Sequence, residues 1–305
     1  MKYQWNLLHH GLKALIMTGF SALILYLVFT GNILLYIAPH LIIYVDIASV
    51  GLLIMAGFQW YLTVMSIRNP AAACDCGHDH DHDGHTHEPP RSLLKNVIIY
   101  GLFVLPLVFG GLLPNTALAG SLAKNKGMNL GGGGAAAAGG APAELVELDG
   151  DADPALKQLF KTDVYNKDYA KLGILLYQQD VIEMKDEWFI EKLQAMNTFV
   201  DNFQDRTITI SGFVYRQKGL AGNQFIVGRM AMTHCIADIS PYGIIAESAD
   251  AAKYKDDSWI SITGTIGQTV FDGLKVIKIN IDSIKPAAAP EVPYVYPDWD
   301  FASKI

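Results

Sequence analysis

Three long apolar runs open the chain, and after them the hydrophobic pattern changes period. Ala14 to Thr30 carries no charge and is rich in Leu, Ile and Phe. Crossing a hydrocarbon core takes about 20 residues at a helical rise of about 1.5 Å each, so this run predicts a membrane helix over 13–31. After the break at Ala38-Pro39 a second run predicts a helix over 40–65, with Asp46 as its one acidic residue. A third, over 96–113, contains Pro106 and is followed by Pro114; proline is tolerated in membrane helices where neighbours satisfy the freed carbonyls. The first run is not read as a signal peptide, because no small-residue cleavage site separates it from the second. Ala117-Leu118-Ala119 does imitate such a site, which leaves processing near Ala119 as the alternative to an intact chain.

Gly131 to Gly140 reads GGGGAAAAGG, a composition with no side chains to bury, and predicts a flexible tether within a linker over 119–150. It divides a transmembrane region (1–118) from a soluble domain (151–286), with 287–305 as a tail. Between Glu187 and Phe203, the residues Phe189, Leu193, Met196, Val200 and Phe203 fall on one helical stripe. Strand signals follow at Thr207–Tyr215, Gln224–Thr233, Trp259–Ile266 and Leu274–Ile284, the last with Ile277, Ile279 and Ile281 alternating against Lys278, Asn280 and Asp282. Asp272-Gly273 between two of these runs is a tight-hairpin signature. The expectation is an N-terminal α-helical transmembrane region of three helices and a C-terminal, mainly-β α+β domain forming an OB-like barrel with one packed helix.

Composition sharpens the division. Half the residues are hydrophobic (51%) and 17% are charged, with mean hydropathy +0.23. Glu144 to Ile305 nevertheless holds 16 Lys and Arg against 24 Asp and Glu, a balance of −8. So acidic a domain repels phosphate backbones, which speaks against nucleic acid as a partner. Lys2, Lys13, Arg68, Arg91 and Lys95 flank the spans on one side, whereas the Gly31-Asn32 connection has no basic residue. By the positive-inside rule the N-terminus and the 68–95 loop are cytoplasmic and everything after Leu113 is extracellular. Lys124 and Lys126 oppose this, in an exported region where the rule has least force.

Cys74, Cys76, His78, His80, His82, His85 and His87 lie within fourteen residues of that loop. Thiolate with imidazole is the ligand set of zinc or copper, and the interleaved Asp residues would orient the rings. Zn2+ is the expected ion, with copper the alternative; the bland reading is a solvated loop. Asp79, Asp81, Asp83 and Gly84 open like a calcium loop, but its twelfth position is Pro90, where a bidentate Glu is needed. A second candidate is His234, Cys235 and Asp238 at a strand end, which could ligate a metal or form a reactive thiol, against the plainer reading of a small buried Cys. Asp46 lies close enough to its span end to sit at the interface. Tyr36, Trp60 and Tyr61 read as interfacial anchors, and His9 and His10 as polar N-terminal residues. Neither a phosphate-binding glycine loop nor a nucleophile elbow is found, so nothing in the sequence points to an enzyme.

Several segments carry a family likeness: Phe29-Thr-Gly-Asn-Ile-Leu-Leu-Tyr-Ile-Ala-Pro39, Ser211-Gly-Phe-Val-Tyr-Arg216, Asn223-Gln-Phe-Ile-Val-Gly-Arg229, Cys235-Ile-Ala-Asp238, Tyr242-Gly-Ile-Ile245 and Trp259-Ile-Ser-Ile-Thr-Gly264. The chain resembles the YcgQ-like membrane proteins of Gram-positive bacteria, described as subunits of a two-part permease. The resemblance implies a polytopic permease as partner, encoded alongside and in some bacteria under zinc-responsive control. Members of that family typically carry two adjacent cysteines where this chain has His234-Cys235, a departure that favours metal ligation over thiol exchange. Two functions are therefore expected. One is a non-enzymatic auxiliary subunit that docks on the permease and on membrane lipid, with a zinc-binding cytoplasmic loop and an outer domain for gating or cargo binding. The alternative is a free-standing envelope protein whose outer barrel binds a cell-surface ligand, the loop serving as a metal sensor.

Overall fold

The computed structural model describes residues 2–68, 93–112, 119–131, 144–150 and 152–305. It divides into two compact units, Met1–Thr116 and Ala117–Ile305.

The first unit contains α1 (Lys2–Phe29), α2 (Ile42–Arg68) and α3 (Leu93–Leu112). Leu7–Phe29, Pro39–Arg68 and Leu94–Leu112 are each long and apolar enough to cross a membrane. Their large side chains point outward: Ile54 is 68% exposed and Leu102 71%. Water would not tolerate so much uncovered hydrocarbon, but lipid would. Inside the unit the helices meet through small and polar residues, the packing that serves where lipid removes any hydrophobic gain from association. Ala14, Ser21, Ser49 and Ala56 are buried, and the Ser21 hydroxyl donates to the Ser49 carbonyl at 3.0 Å. A Cβ on Gly110 would stand 3.0 Å from Leu23 Cδ2, so this glycine is what lets α3 approach α1 so closely. The residues read as interfacial anchors or polar N-terminal residues also tie helices together. His9 Nδ1 lies 2.6 Å from the Tyr100 hydroxyl, His10 Nδ1 lies 2.6 Å from Gln59 Nε2, and Trp60 Nε1 donates to Thr18 Oγ1 at 3.1 Å.

The second unit, from Ala117, takes in the whole stretch read as linker. There α4 (Ala119–Lys126) is followed by Met128 and Leu130, both buried, and Asn129 bridges to Tyr242. Of the tether read at Gly131 to Gly140, all but Gly131 lies outside the described residues. A two-stranded sheet pairs β1 (Leu145–Val146) with β2 (Thr162–Asp163), on either side of α5 (Pro154–Leu159). Then come α6 (Lys167–Tyr177), β3 (Val181–Met184), α7 (Phe189–Thr198), β4 (Thr207–Tyr215), β5 (Gln224–Ala231), β6 (Ser240–Glu247), β7 (Trp259–Phe271), β8 (Leu274–Pro286) and β9 (Tyr294–Val295).

The expectation of an OB-like barrel is corrected by the sheet. Seven strands form one mixed sheet in the order β3-β4-β7-β8-β6-β5-β9, with edge strands β3 and β9, and β4 also pairs with β5. Three of its pairings are parallel: β3 with β4, β6 with β8, and β5 with β9. The reading from strand spacing missed β3, β6 and β9, and without them neither the edges nor the parallel pairings could be foreseen. It also foresaw one packed helix, whereas α6 and α7 both contribute to the core.

Local features follow the chemistry read from the chain. Asp272 and Gly273 have φ of 47° and 77°, closing the β7–β8 hairpin where Phe271 pairs with Leu274. All five residues of the stripe from Phe189 to Phe203 are buried, although α7 ends at Thr198 and Val200 and Phe203 lie in the turns beyond it. Asn197, buried in that layer, donates to the carbonyls of Leu130 and Leu193 and accepts from the Ile277 amide at 3.0 Å, joining α7 to β8 and to the segment after α4. Residues 287–305, read as a tail, supply β9 and the buried Phe301.

Candidate functional site

Of the residues singled out for metal chemistry, Cys74, Cys76, His78, His80, His82, His85 and His87 lie outside the described residues. His234, Cys235 and Asp238 are described, and they form a tight turn after β5. Asp238 Oδ1 accepts from the Thr233 amide at 3.0 Å, and Oδ2 accepts from the amides of His234 at 2.8 Å and Cys235 at 3.2 Å. The Cys235 side chain accepts in return from the Asp238 amide, a reciprocal cap on the short 3-10 helix Ile236–Asp238. Partial burial pushes the Asp238 carboxyl up, but the three backbone donors outweigh it and hold the group below its ordinary range. His234 Nδ1 is 3.3 Å from Asp238 Oδ2, and the ring is 60% exposed. From the other side Lys126 of α4 donates to the Ile239 carbonyl at 2.6 Å. The three residues are thus brought together, with the carboxylate committed to the backbone. Among the described residues, no group of three or more His, Cys, Asp or Glu side chains is placed to hold a metal ion.

Beside this turn is a cleft of about 360 Å³ that sequence reasoning missed. Its walls include Thr233 from the turn, Tyr169 of α6, Glu191 of α7, Tyr242 of β6, and Asp298 and Trp299 from the C-terminal segment. Glu191 is 4% exposed. Its Oε1 accepts from the Asp298 amide at 2.8 Å, and its Oε2 is buried with no hydrogen-bond partner among the described residues. Burial raises the Glu191 carboxyl above its ordinary range, Asp298 adds to the rise, and the two backbone hydrogen bonds and Lys192 oppose it. Asp298 itself is well satisfied: Trp188 Nε1 donates to it at 2.9 Å and Lys304 Nζ at 2.5 Å. Tyr169 stacks on Phe301 with centroids 5.4 Å apart, while Trp299 is 70% exposed at the rim. Among the described residues, no lysine, arginine or histidine lines the cleft.

A second cleft, of about 540 Å³, runs past β3, β4 and β5. Arg229 on its wall is 4% exposed and pairs through Nη1 with Asp186 Oδ1 at 2.5 Å, the carboxylate being largely exposed. The guanidinium lies 5.4 Å from the Trp259 ring centroid, and Nε and Nη2 are buried without a partner.

Comparison with known proteins places the chain. Family models described as the DUF1980 N-terminal and C-terminal domains match residues 12–129 and 159–297. The UPF0703 protein YcgQ of Bacillus subtilis (strain 168) is 30% identical over 290 residues, covering 93% of this chain and 98% of that protein. A Streptococcus mutans serotype c protein, named as a proposed subunit of a two-component membrane permease complex, is 20% identical over 293 residues, again covering 93% and 98%. Among solved structures, a small single-stranded DNA-binding protein from Streptomyces coelicolor matches 28% of this chain and 96% of its own at 13% identity. Its TM-score of 0.18 carries no argument about fold or function. By its full-length relation to YcgQ, and with both halves matched, the chain belongs to the DUF1980 family.

Proposed function

We propose that this chain is a non-enzymatic auxiliary subunit of a membrane permease complex. The observation that carries the reading is its end-to-end relation, across 93% of its length, to a protein whose name assigns it to such a complex. Two physical features support it. The three apolar helices leave large faces uncovered, and a polytopic partner can occupy part of the area that lipid otherwise fills. The second unit carries the two clefts and a backbone-clamped turn on its hydrophobic core, features available for binding.

In this proposal the N-terminus and the 68–95 loop face the cytoplasm and the C-terminal domain is extracellular, a reading that the distribution of Lys and Arg around the spans supports. The loop binds Zn2+ through Cys74, Cys76 and the five histidines from His78 to His87. It reports metal status to the complex, while the outer domain gates the permease or captures cargo. The test is purification of the tagged full-length chain from its own membrane in a mild detergent. A polytopic membrane protein should co-elute in fixed stoichiometry. Recovery of the chain alone, under conditions that preserve other membrane complexes, would overturn the proposal.

A further inference from the structure

We infer that the cleft between α6, α7 and the C-terminal segment is a binding site for a small ligand bearing a primary ammonium group, with Glu191 as its counter-ion. A buried carboxyl oxygen without a hydrogen-bond partner forfeits the free energy of its lost hydration, so such groups are rare unless something fills the position. Glu191 Oε2 is such an atom, in a residue 4% exposed on the wall of a 360 Å³ cleft. That volume lies in the small-molecule range of about 300–1,000 Å³.

The chemistry of the walls selects the ligand. An anion would meet Glu191 and Asp298 with no basic side chain lining the cleft. Asp298 is already paired with Lys304 and held by Trp188, so the carboxyl with an unused acceptor oxygen is that of Glu191. A primary ammonium brings three N–H donors. One satisfies Oε2, and hydroxyl oxygens such as those of Thr233 and Ser240 are available to the others. Tyr169, Tyr242, Phe301 and Trp299 are among the lining residues, and aromatic rings attract cations and also accommodate the apolar body of an amine. A neutral sugar could use the aromatic rings and hydroxyls too, but it brings no cation to hold Glu191 as a carboxylate. This assignment stands independently of the permease reading.

The test uses the full-length chain in lipid nanodiscs and ligand-observed saturation-transfer NMR, with phenethylammonium as probe and uncharged 2-phenylethanol and methyl glucoside as comparisons. Phenethylammonium should bind saturably in the millimolar range, and both neutral probes at least tenfold more weakly. Glu191→Gln retains an acceptor for the Asp298 amide but not the charge, and should weaken phenethylammonium at least tenfold, about 1.4 kcal/mol. Trp299→Ala, at an exposed position that packing does not depend on, should weaken it at least threefold with the melting temperature unchanged. Equal binding of charged and uncharged probes, preferential binding of methyl glucoside, or wild-type affinity in Glu191→Gln would overturn the inference. Absence of saturable phenethylammonium binding would do the same. In the last two cases Glu191 Oε2 is satisfied by an ordered water and the cleft has no cation preference.

Discussion

Replacing Asp238 by Ala should destabilise the second unit through the turn that carries His234 and Cys235, with no metal involved. The carboxylate accepts three backbone amides, at 3.0, 2.8 and 3.2 Å. A hydrogen bond to a charged group is worth about 1.5–3 kcal/mol net when buried. Here the acceptor side chain is 32% exposed, so water can replace part of what is lost. Loss of a helix-capping carboxylate costs about 1 kcal/mol in most hosts, and the further donors double that, to about 2 kcal/mol in total. For a unit of this size, about 1 kcal/mol moves the melting temperature by about 2–4 °C, so Asp238→Ala should melt about 4–8 °C lower in nanodiscs at pH 7. Asp238→Asn keeps one acceptor oxygen and should lose about half as much. The pH dependence has a definite sign. The folded-state carboxyl is depressed below its ordinary range, so its contribution is fully present above the unfolded value, about 3.9. It is lost as pH falls through the lower, folded value. The gap between wild type and Asp238→Ala should therefore close in acid. An Asp238→Ala protein that melts within 1 °C of wild type at pH 7, or a gap that widens in acid, would refute this account of the turn.

Three further outcomes are expected. Glu191 is raised by burial, so its carboxyl takes up stability below its unfolded value and returns it as pH rises through the folded one; stability of the unliganded domain should fall across that window in wild type and not in Glu191→Gln, read by thermal melts at several pH values. Asp186→Ala should strand the buried Arg229 guanidinium and cost about 1–2 kcal/mol, discounted because Asp186 is exposed, whereas Arg229→Met should melt no lower than wild type because it removes a buried charge with two unpaired groups; a melt lowered equally by both changes would show that packing of the side chain dominates. Chain purified without chelators should carry zinc that deletion of Cys74–His87 reduces to background by plasma emission spectroscopy, and equal metal content in the two proteins would remove the loop from the account.

Much of the architecture could be read along the chain because the physics that fixes it is local. A membrane span requires about 20 contiguous apolar residues, and the three runs are long enough to be unmistakable. Phe189, Leu193 and Met196 record which face of α7 is buried, and Asp272-Gly273 records a turn that needs two positive φ values. The sheet order is a different kind of fact. Val181–Met184 and Tyr294–Val295 are too short to announce themselves, Ser240-Pro241 opens β6 with a residue that lacks an N–H, and each takes its partner from a distant part of the chain. The barrel expectation failed on those strands. Glu191 was hidden for a related reason. It lies on α7 away from the stripe of Phe189 and Leu193, where helical periodicity predicts exposure. Its cover is the Asp298 segment, 107 residues further on. His234, Cys235 and Asp238 were visible as a cluster of potential ligands, but the sequence could not reveal that Asp238 is occupied by backbone amides.

The claim that this chain is a permease subunit is tested most directly inside the membrane, from the helix least covered by the others. A photo-crosslinking amino acid at Leu102 of α3, 71% exposed in the isolated chain, should give a discrete adduct with a polytopic membrane protein when irradiated in native membranes. A control at an exposed position of the second unit away from the clefts, such as Val270, should not give that adduct. Adducts with lipid alone, at Leu102 and equally at Val97 and Ile98 on the same helix, would contradict the assignment and leave the three helices as an anchor.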